Sequence, residues 1–188
     1  MNASRPEWHE YFMAVAKLIS TRSTCNSRPT GAILVKDRHI LATGYNGSPP
    51  GAPHCQGTFN PDGTPFCYSR HVGAGDANKY NYCRSSHAEA NAVAQAARLG
   101  ISVEGAAIYT TLAPCYTCTK LLAAARILEV YYEHDYESSD RVRDLHWQSI
   151  FKESGIRIWQ KVAIEPAALK VFTSALESVT SERRLGTH

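Results

Sequence analysis

The stretches His87-Ala-Glu89 and Pro114-Cys-Tyr-Thr-Cys118 decide how this chain folds and which metal site it can form. The first places an imidazole and a carboxylate two residues apart, and the second places two thiols three residues apart. Zinc in catalytic sites typically takes three protein ligands and keeps a fourth tetrahedral position for water. The chain therefore offers a three-ligand set and one spare carboxylate. The predicted ligands are His87, Cys115 and Cys118, and the carboxylate is that of Glu89.

The first stretch opens a predicted helix over residues 86–99, which are rich in strong helix formers and are followed by a glycine. Ser85 or Ser86 is the expected N-cap. Residues two apart in the interior of a helix do not face each other. His87 and Glu89 can therefore converge on one metal ion only if the site lies over the start of this helix.

The second stretch opens another predicted helix, over residues 115–125, because Pro114 suits the first turn of a helix. Cys115 and Cys118 stand three residues apart and so share one helical face. A helix N-terminus lowers the pKa of a cysteine and favours the thiolate that a metal requires. The spacing and the placement both indicate a metal site.

Composition indicates one globular domain over residues 1–188. The hydrophobic fraction of 44% and the charged fraction of 20% are ordinary for a soluble domain. A net charge of +3 without a polybasic run argues against a polymeric nucleic acid as partner. No apolar stretch predicts a secretory signal or a membrane span, so we expect no membrane partner and a cytoplasmic protein, in the host cytoplasm if the source is viral.

A long segment over residues 45–84 interrupts the regular pattern. It is rich in glycine, proline and cysteine and shows no period, and such a loop inside a compact domain is generally functional. Around it, helix and strand patterns alternate, which indicates a sheet covered by helices. The other predicted elements are helices over 7–22, 141–154 and 166–181, and strands over 31–36, 39–44, 105–112, 127–133 and 156–162.

These motifs resemble those of the deoxycytidylate (dCMP) deaminases, within the cytidine and deoxycytidylate deaminase superfamily. H-x-E followed by P-C-x-x-C is the signature of zinc-dependent nucleobase deaminases in general. The segment Gly44-Tyr-Asn-Gly-Ser-Pro49 is more specific to the dCMP deaminases. The resemblance extends from about Glu7 to Gly155, and its further motifs are 10–16, 31–32, 91–92 and Tyr136.

The resemblance implies an α/β three-layer sandwich, in which a five-stranded mixed sheet carries helices on both faces. It implies zinc-dependent hydrolysis of dCMP to dUMP and ammonia, which supplies thymidylate synthesis. Many members are homohexamers that dCTP activates and dTTP inhibits, with Mg²⁺ accompanying the triphosphate. A similar organisation is the expectation for this chain.

The resemblance also assigns roles to residues. Glu89 moves protons between water, the cytosine ring and the leaving amine. Arg98 responds to the allosteric nucleotide, although a cation at a helix end can equally be a solvated residue that complements the helix dipole. The implied substrate contacts are Arg22, Ser27, Asn46 and Tyr136, and the implied contacts to the allosteric nucleotide are Asn46, Gly47 and Arg98.

Four cysteines remain outside this site. In microbial relatives similar cysteines can hold a second, structural zinc, and four thiolates in tetrahedral geometry make such a closed site. The alternative is four inert reduced thiols. The implied ligands are Cys25, Cys55, Cys67 and Cys83, with His71 or His54 as a replacement for one of them.

Two other classes of function stay open at this point. The same chemistry could serve another substrate, in a tRNA adenosine deaminase, a riboflavin-pathway deaminase or a free-nucleoside deaminase. The modest charge and the Gly44–Pro49 segment argue against RNA. A zinc-stabilised binding module without catalysis is the other alternative, but a purely structural site needs no carboxylate such as that of Glu89.

Overall fold

Five strands form one mixed sheet in the residues that the computed structural model describes, which are 5–71, 82–136 and 151–181. The order across the sheet is β2-β1-β3-β4-β5. β1 is antiparallel to both of its neighbours, β2 and β3, whereas β3, β4 and β5 are parallel to one another. The strands are β1 (Gly31–Lys36), β2 (His39–Tyr45), β3 (Ala107–Leu112), β4 (Glu129–His134) and β5 (Ile158–Lys161).

Helices cover both faces of the sheet, which confirms the implied fold. Alternate residues of β1 belong to different core clusters, as a period of two requires. Ala32 and Leu34 face α3 and α4, whereas Ile33 and Val35 face α1. The described helices are α1 (Trp8–Ser20), α2 (Tyr68–His71), α3 (Ala88–Arg98), α4 (Tyr116–Ala124) and α5 (Pro166–Ser181).

Two glycines let these helices lie close to the sheet. A Cβ atom at Gly31 would overlap the carbonyl oxygen of Ala16 in α1. A Cβ atom at Gly44 would overlap the carbonyl oxygen of Ala88 and the backbone nitrogen of Ala92 in α3. The start of α3 is therefore held directly against the end of β2, and this contact fixes where the two stretches 87–89 and 44–47 meet.

The boundaries predicted from sequence agree with the structure for most elements. The bounds of β1 and α5 are as predicted, whereas β2 includes one residue more, Tyr45. The segment 45–84 is not structureless in its described part: it contains α2, and Phe59 pairs with Pro65 in an isolated bridge. The predicted helix over 141–154 lies largely outside the described residues. Of its described part, residues 151–153 are helical.

No helix in the described ranges combines the length and the apolar character needed to cross a bilayer.

Candidate metal centre

The metal centre lies where two helices begin. His87 is the N-cap of α3 and Cys115 is the N-cap of α4, and both have extended backbone angles. The prediction that Ser85 or Ser86 caps α3 is therefore wrong. Ser86 cannot enter the helix because its backbone pairs with Gly47 in an extended bridge. The site does lie over the start of the helix, as convergence of His87 and Glu89 requires.

The donor atoms of the three predicted ligands are close together. His87 Nδ1 lies 3.4 Å from Cys115 Sγ and 3.4 Å from Cys118 Sγ. Tetrahedral zinc with bonds of about 2.0–2.1 Å to nitrogen and about 2.3 Å to sulfur separates such atoms by about 3.5 Å. Within the described residues, these three form the only set of three or more potential ligands whose donor atoms all lie within 4.8 Å. Both nitrogen–sulfur distances therefore fit a tetrahedral zinc site.

The two thiols of the set have different proton affinities. A hydrogen bond from Cys118, with a second from His87, lowers the pKa of Cys115 to about 4. The pKa of Cys118 is raised, chiefly because it supplies that hydrogen bond and also because it is buried. The same contact with Cys115 raises the pKa of His87 against the effect of burial. One thiolate is thus available in the protein itself, and a bound cation favours the second.

Glu89 is the second residue of α3 and is buried, with 4% of its surface exposed. Burial raises the pKa of its carboxyl group to about 7. The carboxyl group contacts Cys118 but does not belong to the three-ligand set. Glu89 is therefore beside the metal position without being one of its ligands, and its pKa suits both uptake and release of a proton near neutral pH.

The segment 45–47 lies next to the metal centre. The backbone of Gly47 exchanges two hydrogen bonds with Ser86, the residue before His87, at 3.1 and 2.9 Å. The side chain of Asn46 is buried and makes three hydrogen bonds inside the protein. Its Oδ1 accepts from the Ser23 hydroxyl (2.6 Å) and the Thr30 N–H (2.8 Å), and its Nδ2 donates to the Arg28 carbonyl (2.9 Å).

Tyr136 is brought to the same region by the sheet. It is half-buried and follows β4 by two residues. The carbonyl oxygen of His134 accepts a hydrogen bond of 2.8 Å from the N–H of Ala113, two residues before Cys115. Parallel pairing of β3 and β4 thus puts the end of β4, which Tyr136 follows, beside the segment that leads into α4.

The other predicted contacts are Arg22, Ser27 and Arg98. Arg22 is an exposed residue just after α1, and the hydroxyl of Ser27 accepts a hydrogen bond of 2.8 Å from Arg70. Arg98 ends α3, eleven residues after His87. That distance is about 16 Å along the helix, so Arg98 cannot contact a ligand at its own metal centre.

The four remaining cysteines form a loose group. They influence one another's pKa, and burial raises the pKa of Cys55 and of Cys83. Burial acts to raise that of Cys67 as well, but hydrogen bonds from Ser69 and Arg70 lower it. No three of the four sulfurs lie within 4.8 Å of one another. Among the alternates, His54 is exposed, and His71 ends α2.

Each of these four sulfurs accepts a hydrogen bond from a backbone N–H. The donor lies two or three residues further along the chain, except at Cys55, where it is Tyr68. The N–H of Ser27 lies 3.4 Å from Cys25 Sγ. The other donors are the N–H groups of Tyr68 to Cys55, of Ser69 and Arg70 to Cys67, and of Ser85 to Cys83.

Several residues of the site were not predicted from sequence. Ser23 and Thr30 hold the side chain of Asn46, and Thr24 contacts Gly47. Their partners are about 16 to 23 positions away in the chain, so no local spacing indicates them. Gly44 and Asn91 are within quoted motifs, but only the structure shows what they contact.

Comparisons with known proteins agree with this geometry. The family profile for the cytidine and deoxycytidylate deaminase zinc-binding region matches residues 6–134. ComE operon protein 2 of Bacillus subtilis is 35% identical over 159 residues, which cover 83% of this chain and 72% of that protein. The deoxycytidylate deaminase of Mycobacterium phage D29 is 40% identical over 134 residues, which cover 69% of this chain and 96% of that enzyme.

A solved structure shares the fold. The crystal structure of dCMP deaminase from the cyanophage S-TIM5, in complex with dCMP and dUMP, superposes with a TM-score of 0.60 at 30% sequence identity. The match covers 83% of this chain and 98% of the cyanophage protein.

Proposed function

Because this chain belongs to the cytidine and deoxycytidylate deaminase family, we propose that it hydrolyses dCMP to dUMP and ammonia. The observation that carries the proposal is the buried carboxyl group of Glu89 beside a three-ligand zinc set. A closed structural site has four protein ligands and no use for such a group. The cyanophage dCMP deaminase, which shares the fold, was crystallised with dCMP and dUMP, and this supports the choice of substrate.

In the proposed reaction, His87, Cys115 and Cys118 hold the zinc ion. When bound, zinc acts as a Lewis acid and lowers the pKa of a coordinated water to about 7. Glu89 accepts a proton from the water and delivers it to the ring nitrogen next to the reacting carbon. The hydroxide left from the water bonds to that carbon, and Glu89 then moves the remaining proton of this new hydroxyl group to the amine, which leaves as ammonia when the C–N bond breaks. A pKa of about 7 lets Glu89 serve as base and acid in turn.

The nucleotide is proposed to bind against the segments that surround the start of α3. Arg22, Ser27 and Asn46 are the proposed substrate contacts on the two loops that precede β1 and follow β2, and Tyr136 covers the base. The hydrogen bonds of Asn46 to Ser23, Thr30 and Arg28 support this, because they keep the two loops in one arrangement.

An ammonia-release assay on dCMP, CMP, deoxycytidine and dCTP tests the proposal. A site built for a 5′-phosphate leaves charged donors unpaired when that group is missing, which costs far more than a missing methylene. We expect kcat/KM for dCMP to exceed that for deoxycytidine by at least about 10³. Comparable rates on the two would favour a nucleoside deaminase, and no ammonia from any of the four would favour a binding module.

We further propose that Cys25, Cys55, Cys67 and Cys83 hold a second, structural zinc ion. The support is that the four thiols lie close enough to shift one another's pKa and that each sulfur accepts a backbone N–H. Such hydrogen bonds stabilise a thiolate. Binding of zinc requires the sulfurs to move inward, and His54 or His71 replaces one of them if the fourth cannot.

Regulation by nucleotides is part of the proposal. We infer that dCTP with Mg²⁺ activates and dTTP inhibits a homohexamer, through contacts of Asn46, Gly47 and Arg98. Exposure of Arg98 at the far end of α3 supports a contact to a nucleotide held by a neighbouring subunit.

Six free cysteines suit a reducing compartment, so we place the enzyme in the cytoplasm. We also propose that it has no polymeric nucleic acid as partner.

A further inference from the structure

Two amide side chains of α3 bond to the backbone of β2, the strand at one end of the sheet. Asn91 Nδ2 donates to the carbonyl oxygen of Tyr45 at 2.7 Å, and Gln95 Oε1 accepts from the N–H of Thr43 at 2.8 Å. Thr43 and Tyr45 are two apart, so their backbone groups point to the same side of the strand. That side is the one away from β1, because β2 ends the sheet order. Asn91 and Gln95 thus stand in for part of a missing neighbouring strand.

The contacts of Asn91 and Gln95 differ in the further hydrogen bonds that their backbone partners make. The carbonyl of Tyr45 belongs to the peptide whose N–H, on Asn46, donates to the Thr30 carbonyl at 3.1 Å. This one peptide is therefore held by α3 on one side and by the loop before β1 on the other. Asn46 then bonds to Ser23 and Arg28 through its side chain. The contact of Gln95 leads only to the middle of β2.

We propose that Asn91 is a positioning residue, which couples the helix carrying His87 and Glu89 to the substrate loop over residues 22–30. It acts by fixing the peptide between Tyr45 and Asn46, and it does not touch the reacting atoms. The inference rests on the proposed function only for its kinetic test, because the coupling itself is a property of the free protein.

Loss of the Asn91 side chain should release the peptide between Tyr45 and Asn46 without displacing α3. The start of α3 is also held by the bridge between Gly47 and Ser86 and by packing on Gly44, so loss of Asn91 leaves the helix and the metal ligands in place. What is lost is the restraint on the carbonyl of Tyr45. The effect should therefore fall on substrate binding and not on the proton transfers of Glu89.

A matched pair of variants separates positioning from general stability. On the same face of α3, Asn91→Ala removes the one hydrogen bond to Tyr45, and Gln95→Ala removes two from Thr43, of 2.8 Å from its N–H and 3.5 Å from its hydroxyl. Alanine is the most favourable residue in a helix. Asn91→Gln keeps the donor and tests rescue. Asn91→Ser, which is polar and too short to reach Tyr45, replaces the alanine variant if that variant does not fold.

The kinetic measurement uses the zinc-loaded full chain and dCMP. We expect Asn91→Ala to raise KM by about fivefold, the factor that corresponds to one ordinary hydrogen bond, with kcat changed less than about twofold. Asn91→Gln should recover part of that loss, and Gln95→Ala should keep the KM of the original protein at a similar loss of Tm. Equal KM changes in the two alanine variants, or a fall in kcat alone, overturn the proposal.

Amide hydrogen exchange without substrate tests the coupling independently of activity. In Asn91→Ala the amides of Thr30 and Asn46 should exchange faster, whereas in Gln95→Ala the faster exchange should be confined to Thr43 and its neighbours. If dCMP is not deaminated but this pattern is found, the proposed substrate is wrong and the coupling stands. If exchange at Thr30 and Asn46 is the same in both variants, the coupling is wrong whatever the substrate.

Discussion

Glu89 combines two properties that a proton shuttle requires. It is buried beside the zinc ligands, and burial brings its pKa to about 7. A carboxyl group with an ordinary pKa would hold its proton too weakly to protonate a leaving amine. Burial of a carboxylate is costly, so the presence of Glu89 next to Cys118 is better explained by chemistry than by stability.

Glu89→Gln should abolish activity and keep the metal. The amide has the same shape but cannot take up and release a proton, and general acid–base groups contribute about 10²–10⁴ to a rate. Since several transfers are proposed for Glu89, we expect kcat to fall by about 10⁴ or more. Zinc content per chain and ammonia release are the measurements.

Glu104→Gln, the same chemical change at an exposed position, is the control for the loss of charge. Near-original turnover in Glu89→Gln would show that another group moves the protons. Loss of zinc together with activity would mean that Glu89 supports the metal centre, and the proton-shuttle role would then lack its evidence.

The meeting of two helix starts could be predicted from sequence because the signals are local. A helix-forming run after 87–89 and Pro114 before Cys115 each mark a start, and the structure has α3 and α4 there. The exact cap of α3 could not be predicted in this way. Ser86 is a good capping residue, but a bridge to Gly47, 39 positions earlier, keeps its backbone extended. Long-range pairing overrides the local preference.

The contacts around the substrate loops were beyond sequence reasoning for the same reason. The resemblance implies that Asn46 contacts a nucleotide, but it does not indicate that its side chain bonds to Ser23, Thr30 and Arg28. A spacing pattern reports which residues share a helix face or a strand face. It does not report which loop an amide side chain will cross-link, since that depends on the packing of three separate elements.

At the scale of elements, we expect the contact between β2 and α3 at Gly44 to be sensitive to the addition of a single methyl group. Gly44→Ala places a methyl group against the backbone of Ala88 and Ala92, so α3 must shift. Overpacking of this kind typically costs about 1–3 kcal/mol of unfolding free energy. Because α3 carries His87 and Glu89, we expect activity of the folded fraction to fall as well.

Gly31→Ala is the matched comparison for that variant, because it places a methyl group against the backbone of α1 on the other face of the sheet. Thermal unfolding and kcat are measured for both. A similar loss of Tm with activity retained only in Gly31→Ala is the expected result. If both variants keep the original kcat, the contact at Gly44 does not position the metal centre.

The segment over residues 45–84 carries three of the four cysteines outside the first metal centre, and the proposed second zinc site there can be tested by metal analysis. If Cys25, Cys55, Cys67 and Cys83 hold zinc, metal analysis should give about two zinc ions per chain, one at each site. Cys83→Ser should lower this to about one and destabilise the segment over 45–71, while the catalytic ligands keep their ion. One zinc ion per chain in the unaltered protein would exclude the second site.

At the scale of the whole molecule, α3 connects two distant places. His87 and Glu89 are at its start, next to the proposed substrate loops, and Arg98 is exposed at its end. About 16 Å of helix separates them. A nucleotide that contacts Arg98 would therefore act on catalysis only through a shift of α3 or through a neighbouring subunit. Both routes require states of the protein that differ in activity.

Regulation can then be predicted from linkage. If dCTP with Mg²⁺ favours an active assembly and dTTP, which lacks the 4-amino group, favours an inactive one, the rate should depend sigmoidally on dCMP and become hyperbolic with dCTP. Each effector shifts the equilibrium only by its difference in affinity for the two states, typically about 1–3 kcal/mol.

Arg98→Glu should weaken the response to dCTP while zinc content stays unchanged. Lys152→Glu, the same change at another exposed cation, should leave the response to dCTP unaltered. Hyperbolic kinetics that neither triphosphate alters would contradict the regulatory role, and Arg98 would then be a surface cation at the negative end of the helix dipole.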